Sequence, residues 1–594
     1  LPKFSNIPLL AAAIIIASAG IDVAIASAPG RGWLLSDTLT LFLISMVATL
    51  PFLAPWLIVK KITGERTGAL MLATVTALHV GIGFRFGPFV NHPLTSPVVI
   101  MTVCGVSLVS LGAAWRFGAQ LHAKLQQSHL VLLSLGLLGL CVGFLRLDTA
   151  PIANDVEGPN ILLFTWDTTR ADHLSPYGHS VDTPNLQALA DRGVTFENAV
   201  TAAPQTGPAH LTILSGRYPT SHGVVANGTN IGPQPAMVAN TLQAAGYQTG
   251  GFVAAFPVHE RFSFGQGFDV FDSDFSPIVG LHELAPIRAF DAVILRNLPR
   301  ERRGDQVNTR AIRWLNSVDD SRAPIFSWIH YYDPHGPYTP PNEYNEMYTD
   351  GDPSTAGDPL ALPHFWSPDQ RAITDTDYLT AQYDAEIAWT DKLFGEVVDA
   401  INTKTRDTVI IVTADHGESL TEHGVLFDHG DDLYDPSLLI PLIISAPGVT
   451  PGTRIACQTP SVRIAPTILE LAGYADDINR DGESLVNVLM GKPCIETDAF
   501  ASTVSERIPN PPVDHALRRR DFKFIDKERK NDELYNLQQD QKEQHNLHDT
   551  ADNAAISAAL KAVLDQRRAG STAPIAAEMS DDVINMLRDL GYVE

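Results

Sequence analysis

The chain has 594 residues, 42 Lys/Arg against 67 Asp/Glu for a net charge of −25, 45% hydrophobic residues and four cysteines. That length exceeds what one core organises, and the acidity argues against nucleic acid or an anionic surface as partner. Four cysteines without zinc-site spacing exclude a disulfide-built scaffold and a cysteine zinc centre.

Taken in chain order, residues 1 to about 147 read as membrane. Five apolar stretches, roughly 7–28, 37–59, 67–84, 96–115 and 129–146, each approach the ~20 residues that a spanning helix needs. This part carries nine Lys/Arg and three Asp/Glu, a net +6, which leaves −31 for the remainder. Lys3, Lys60, Lys61, Arg66, Arg116 and Lys124 fall on one side of the five stretches, and Arg31, Arg85 and Arg146 on the other. The positive-inside rule therefore places the N-terminus in the cytoplasm and everything beyond Arg146 outside it, on a multi-pass protein of the cell membrane. The first stretch also has signal-peptide features in Lys3 and Ala26-Ser27-Ala28, but Pro29 argues against cleavage. Asp22, toward the outer end of that stretch, reads as an interfacial residue. Cys104 and Cys141 read as packing residues within the stretches. Cys457 and Cys494 lie where a disulfide is permitted.

Residues 148–159 form a polar, proline-containing linker. From 160 to 493 short apolar runs alternate with helical patterns: NILLFTWD (160–167), TPNLQALADRG, PAMVANTLQAAGY, QTGGFVAAF (248–256), PIFSWIHYYD (324–333), YDAEIAWTDKLFGEVVDAI (383–401), DTVIIVT, and PLIISAPG (441–448). Such alternation predicts an α/β domain with a mostly parallel central sheet, helices on both faces, and ligands beyond the carboxyl ends of the strands. Two segments, about 276–310 and 341–374, read as irregular, the second as a solvated surface excursion or a lid. Residues 494–594 read as a smaller C-terminal α+β subdomain.

Three pieces of this domain carry chemistry. Asp167 ends one buried strand pattern, and Asp415-His416 end another. Two carboxylates and an imidazole at rigid strand ends suit a divalent metal in a mixed O/N shell. Thr206 opens TGPAHLTILSGRYPTSHGV (206–224), where Pro208 suits a first helical turn. A hydroxyl at a helix N-terminus beside a metal is favoured as an alkoxide, although capping alone would also place threonine there.

Together these pieces resemble the active site of a sulfatase-type hydrolase of the alkaline phosphatase superfamily. The ELYNL turn (533–537), the Asp540, Glu543, Asn546-Leu547 spacing and the terminal INMLRDLGYVE resemble the closing elements of the same group, so the likeness covers residues 159–594. The five apolar stretches are similar only in arrangement to lipid-directed phosphoethanolamine and glycerophosphate transferases. The resemblance implies Asp167, Thr206, Asp415 and His416 as metal ligands, with Thr206 also the nucleophile. It makes Arg170 and His210 candidates for contacting the transferring group, and His335 and His429 candidates for assisting departure. Alternatively, His335 and His429 with Asp333 would offer a second metal site, while His330 and His423 read as structural neighbours.

Sulfatases place Cys or Ser, within C/S-x-P-x-R, where this chain has Thr206, and oxidise it to formylglycine. They place Arg at 210 and a second aspartate at 168; here those positions hold His210 and Thr168. A formylglycine hydrate expels sulfate through its second hydroxyl, and threonine has none. Phosphorylated threonine can be relieved by in-line attack of water or an alcohol. The sequence therefore points to hydrolysis or transfer at phosphate mono- or diesters of a small-molecule, lipid or glycan substrate. The ion is drawn from Mn²⁺, Zn²⁺, Mg²⁺ and Ca²⁺, and Thr168 weighs against calcium. Sulfate-ester hydrolysis and a catalytically silent binding protein are the competing readings.

Overall fold

The computed structural model describes residues 156–575, apart from 233–235, 276–300, 349–350, 352–361, 363–372, 475–479, 506–511 and 529. The five apolar stretches, the linker up to residue 155 and the INMLRDLGYVE terminus lie outside the described residues. Among the described residues no helix is long and apolar enough to cross a membrane.

Eight strands form one sheet in the order β4-β3-β5-β1-β6-β7-β2-β8. They are β1 (Asn160–Trp166), β2 (Val194–Val200), β3 (Gln248–Phe252), β4 (Val270–Asp272), β5 (Ile325–Tyr331), β6 (Thr408–Ala414), β7 (Leu439–Ser445) and β8 (Thr453–Pro460). The run β4-β3-β5-β1-β6 is parallel throughout. β7 alone runs antiparallel, to β6 on one side and β2 on the other, and β2 pairs β8 in parallel. The predicted parallel sheet is thus present with one reversed strand, and β2, β4 and β8 complete it. NILLFTW and IFSWIHY are buried at every position, the expected signature of strands covered on both faces.

The covering helices are α1 (Pro184–Arg192), α2 (Thr206–Ser215), α3 (Gly304–Ser317), α4 (Thr376–Ile401) and α5 (Ile464–Leu471). Two of these correct the sequence reading. α3 occupies the end of the 276–310 segment expected to be irregular, because Val307, Ala311, Trp314 and Leu315 recur at helical spacing and are buried. α4 begins seven residues before the predicted start, where the Asp375 carboxylate accepts the backbone N–H groups of Asp377 and Tyr378 as an N-cap.

The C-terminal subdomain is an antiparallel sheet, β9 (Ala499–Val504), β10 (Val513–Arg518), β11 (Phe522–Asp526) and β12 (Glu533–Asn536), joined by α6 (Ala554–Ala569). Leu517, Phe524 and Leu534 pack with Leu560 and Leu564 of α6 as its core. The ELYN segment is β12, and the Asn546 side-chain oxygen accepts the Leu534 N–H, closing the turn that follows. A disulfide joins Cys457 within β8 to Cys494 ahead of β9, with Cα atoms 6.3 Å apart.

Candidate active site

Parallel register brings the two strand-end carboxylates together. β1 pairs β6 with Trp166 opposite Ala414, so Asp167 and Asp415 leave the sheet side by side. Asp415 Oδ1 accepts the N–H groups of His416 (2.8 Å) and Thr168 (3.3 Å). Asp415 Oδ2 and both Asp167 oxygens are fully buried and accept no hydrogen bond. Burial and the neighbouring Asp415 charge push the Asp167 carboxyl well above its ordinary range. With three of their four oxygens unpaired, the two buried carboxylates favour a cation between them.

The imidazole beside them is prepared for the same ion. His416 Nδ1 donates to the Gly417 carbonyl at 2.9 Å, which leaves the lone pair on Nε2. That nitrogen lies 3.4 Å from Asp415 Oδ2, 3.8 Å from Asp167 Oδ1 and 3.4 Å from Thr206 Oγ1. Asp167, Asp415 and His416 thus present one ligand atom each within 4.8 Å of one another. Orphaned carboxylate oxygens, an oriented imidazole and a hydroxyl are a donor set that fits a divalent metal.

His210, His330 and Asp415 form another close group, in which both His210 nitrogens are already hydrogen-bonded. Trp328 donates its indole N–H to Thr165 Oγ1, so the Thr165 hydroxyl is left to donate to His210 Nε2 at 3.0 Å. His210 Nδ1 then donates to the Thr206 carbonyl at 2.7 Å. Burial lowers His210 to about 4, so it is neutral near pH 7. His210, expected from the sequence to contact substrate, is fully buried, with both ring nitrogens hydrogen-bonded, and braces the backbone of Thr206. His330 accepts the Ala254 N–H on Nδ1 at 3.3 Å and turns Nε2 toward Asp167 Oδ2 at 3.3 Å, the neighbour role expected of it.

Thr206 is the first residue of α2, after Gln205 in extended conformation. Arg170, the other expected substrate contact, lies in an ion-pair network. Its guanidinium is held by Asp172 at 2.8 and 3.0 Å and by Glu422 at 2.8 Å, tying the segment after β1 to the 418–424 loop. The Thr168 hydroxyl is shared between the carbonyls of Asp167 (2.8 Å) and Pro334 (2.9 Å), and its φ of 52° is a strained conformation for a β-branched residue. Where the resemblance expects a second aspartate, this chain has a clip between two loops. Asp333, expected as part of a second metal site with His335 and His429, accepts the Gly304 N–H at 2.7 Å and the Trp389 indole N–H at 3.0 Å and staples these two segments.

His335 and His429 both reach the site, with different protonation. His335 Nδ1 donates to the Gly336 carbonyl at 2.6 Å, and burial, then the charge of His429, hold it well below 6.5. The His429 ring lies 4.5 Å from that of His416 and 4.9 Å from that of His335. His429 Nδ1 pairs with Glu418 Oε1 at 3.0 Å. Burial opposes its charge, but Glu418 outweighs burial and lifts His429 to about 9. His429 is therefore the cationic donor and His335 a neutral acceptor. Below about pH 9 the imidazolium is present, so turnover should fall as pH rises through that value. His429→Gln should lower kcat by roughly 10²-fold and remove that limb. A wild-type kcat that stays level from pH 7 to 10 would refute the assignment.

Two further participants escaped the sequence reading. Glu418 charges His429 and accepts from the Tyr338 hydroxyl at 3.3 Å; its signal was its place directly after Asp-His-Gly. Asn227 accepts the Gly207 N–H at 2.8 Å through its side-chain oxygen, and no local pattern announces it. His423 stacks on Tyr434 at 3.7 Å, a structural contact as expected.

Residues 159–474 match the family described as Sulfatase. The chain belongs to the sulfatase family. Residues 421–570 of this sulfatase-family member also match the C-terminal region of N-sulphoglucosamine sulphohydrolase. Among curated relatives, the choline-sulfatase of Rhizobium meliloti is 27% identical over 460 residues, 69% of this chain and 86% of that protein. A multifunctional alkaline phosphatase superfamily protein, PehA of Trinickia caryophylli, is 28% identical over 406 residues, 56% of this chain and 78% of that one. The solved phosphonate monoester hydrolase of Agrobacterium radiobacter shares the fold, with a TM-score of 0.57 at 24% identity over 71% of this chain and 98% of its own.

Proposed function

We propose that this sulfatase-family protein is a membrane-anchored, metal-dependent hydrolase or transferase of phosphate mono- or diesters, with Thr206 as nucleophile. The observation that carries the reading is the Thr206 hydroxyl, at the N-terminus of α2 and 3.4 Å from His416 Nε2. Asp167, Asp415, His416 and Thr206 would hold one divalent ion, which would favour the alkoxide and stabilise developing charge on oxygen. Thr206 Oγ forms a bond to phosphorus as the ester P–O bond breaks, and His429 Nε2 gives its proton to the departing oxygen. Water or an acceptor alcohol then attacks phosphorus, releasing Thr206 Oγ, and its proton returns to His429. Glu418 holds His429 charged before the first step and favours the return of the proton in the second.

The five apolar stretches support an anchor in the cell membrane with the catalytic unit outside the cytoplasm, and the Cys457–Cys494 disulfide suits an oxidising compartment. Such an anchor would give the site access to lipid or surface-glycan esters. Sulfate-ester hydrolysis is the second reading, favoured by the similarity to a choline-sulfatase. A panel of aryl sulfate, phosphate monoester and phosphodiester substrates separates the two in purified full-length protein. The highest kcat/KM is expected on a phosphorus ester, and a preference for the sulfate overturns the proposal.

A further inference from the structure

Resting on the reading of Thr206 and His416 as nucleophile and ligand, we infer that the C-terminal sheet is a positioning element, with Lys523 and Glu543 clamping the turn that spaces those two residues. The turn is the short helix Asp435–Leu438. On one side its Ser437 carbonyl accepts the N–H of Gly417, next to His416, at 2.9 Å. On the other its Leu438 carbonyl accepts the N–H of Thr201 at 2.9 Å, at the start of the loop that delivers Thr206. One turn therefore touches both backbones that present the reacting groups.

Asp435, at the head of that turn, is held entirely from the C-terminal subdomain. Arg518 of β10 grips its carboxylate at 2.8 and 3.0 Å. Lys523 of β11 lies 2.7 Å from Asp435 Oδ1 and 2.5 Å from Glu543 Oε1, and donates to the Leu433 carbonyl at 2.9 Å. Glu543 Oε2 accepts the Asp435 N–H at 2.6 Å. Lys523 is fully buried, and all four ionic groups are more than nine-tenths buried. Two cations and two anions packed together make a net-neutral block, and breaking one member leaves a buried charge.

β9 continues the same hold. The Ser502 N–H donates to the Ala202 carbonyl at 2.9 Å and Gln205 Nε2 to the Val504 carbonyl at 3.0 Å, both on the nucleophile loop. The Thr503 hydroxyl donates to the Gly430 carbonyl, next to His429. The fit is close enough to dictate a glycine: a Cβ on Gly417 would collide with the Pro436 carbonyl oxygen.

The paired variant Lys523→Met/Glu543→Gln removes one cation and one anion and keeps the block neutral. It is tested in the full-length protein for thermal melting, Mn²⁺ dissociation constant by titration, and kcat and KM on the best substrate of the panel. Gly417→Ala presses on the same contact from the opposite side without touching an ionic group. Both variants are expected to melt above the assay temperature, weaken Mn²⁺ binding by about 10-fold or more, and lower kcat by roughly 10–100-fold with KM nearly unchanged. Wild-type Mn²⁺ affinity and kcat in either folded variant overturn the inference, and unfolding of both reduces the block to a structural clamp and overturns it as well. The Mn²⁺ titration needs no substrate, so a failed substrate panel and a failed positioning role give different results.

Discussion

Thr206→Ala will lose turnover by on the order of 10⁴-fold or more while keeping its fold, as expected when a covalent nucleophile is removed from an otherwise intact site. The fold should survive because Thr206 is the first helical residue rather than the cap, and its hydroxyl makes a 3.4 Å contact with His416 in place of a capping bond. Alanine is also a better helix former than threonine. Melting within a few degrees of wild type and retained metal binding would then accompany the loss, since three of the four proposed ligands remain. Thr206→Ser keeps a hydroxyl and should retain measurable turnover. Activity in the alanine variant above a tenth of wild type would sink the nucleophile assignment.

Asp415→Asn should separate metal binding from folding more sharply still. The amide oxygen can keep the N–H groups of His416 and Thr168, while its NH₂ replaces Oδ2, which has no donor and lies 3.4 Å from the His416 Nε2 lone pair. The change also removes one of two facing buried carboxylates, so metal-free protein should melt at the wild-type temperature or above it. Excess Mn²⁺ at 100 times its Kd stabilises the wild type by about 2.7 kcal/mol, and the variant should show almost none of that shift. Turnover should fall at least 10³-fold, because the ion that activates Thr206 is lost with its ligand. A metal-induced rise in melting equal to wild type would remove Asp415 from the ligand set.

The sequence made the centre of the site legible and left its surroundings hidden, for a physical reason. Asp167 and Asp415-His416 end nearly unbroken apolar runs, and such runs have little choice but to be central strands, so their ends coincide in space. Thr206 was legible because Pro208 suits the first turn of the helix that Thr206 opens. Arg170 and His210 occupy positions next to the chemistry, yet their roles depend on partners far away in sequence. Glu422 claims Arg170 from 252 residues on, and Thr165 and Trp328 turn His210 inward. Protonation was equally out of reach, since the contrast between His335 and His429 rests on which of them meets Glu418. The reversed β7 and the early part of α3 were missed because an apolar run gives no direction and polar residues diluted the helical pattern.

The pairing of Trp166 with Ala414 has a consequence for how this enzyme can change over evolutionary time. Removing one residue from 408–414 would retract Asp415 by about 3.3 Å and turn it to the opposite face of the sheet. The same deletion between Asn402 and Asp407, in the turn ahead of β6, leaves the pairing unchanged. Descendants of this chain can therefore gain and lose residues in their connections, while the distance from the first residue of β6 to its terminal aspartate stays fixed for as long as the site binds an ion.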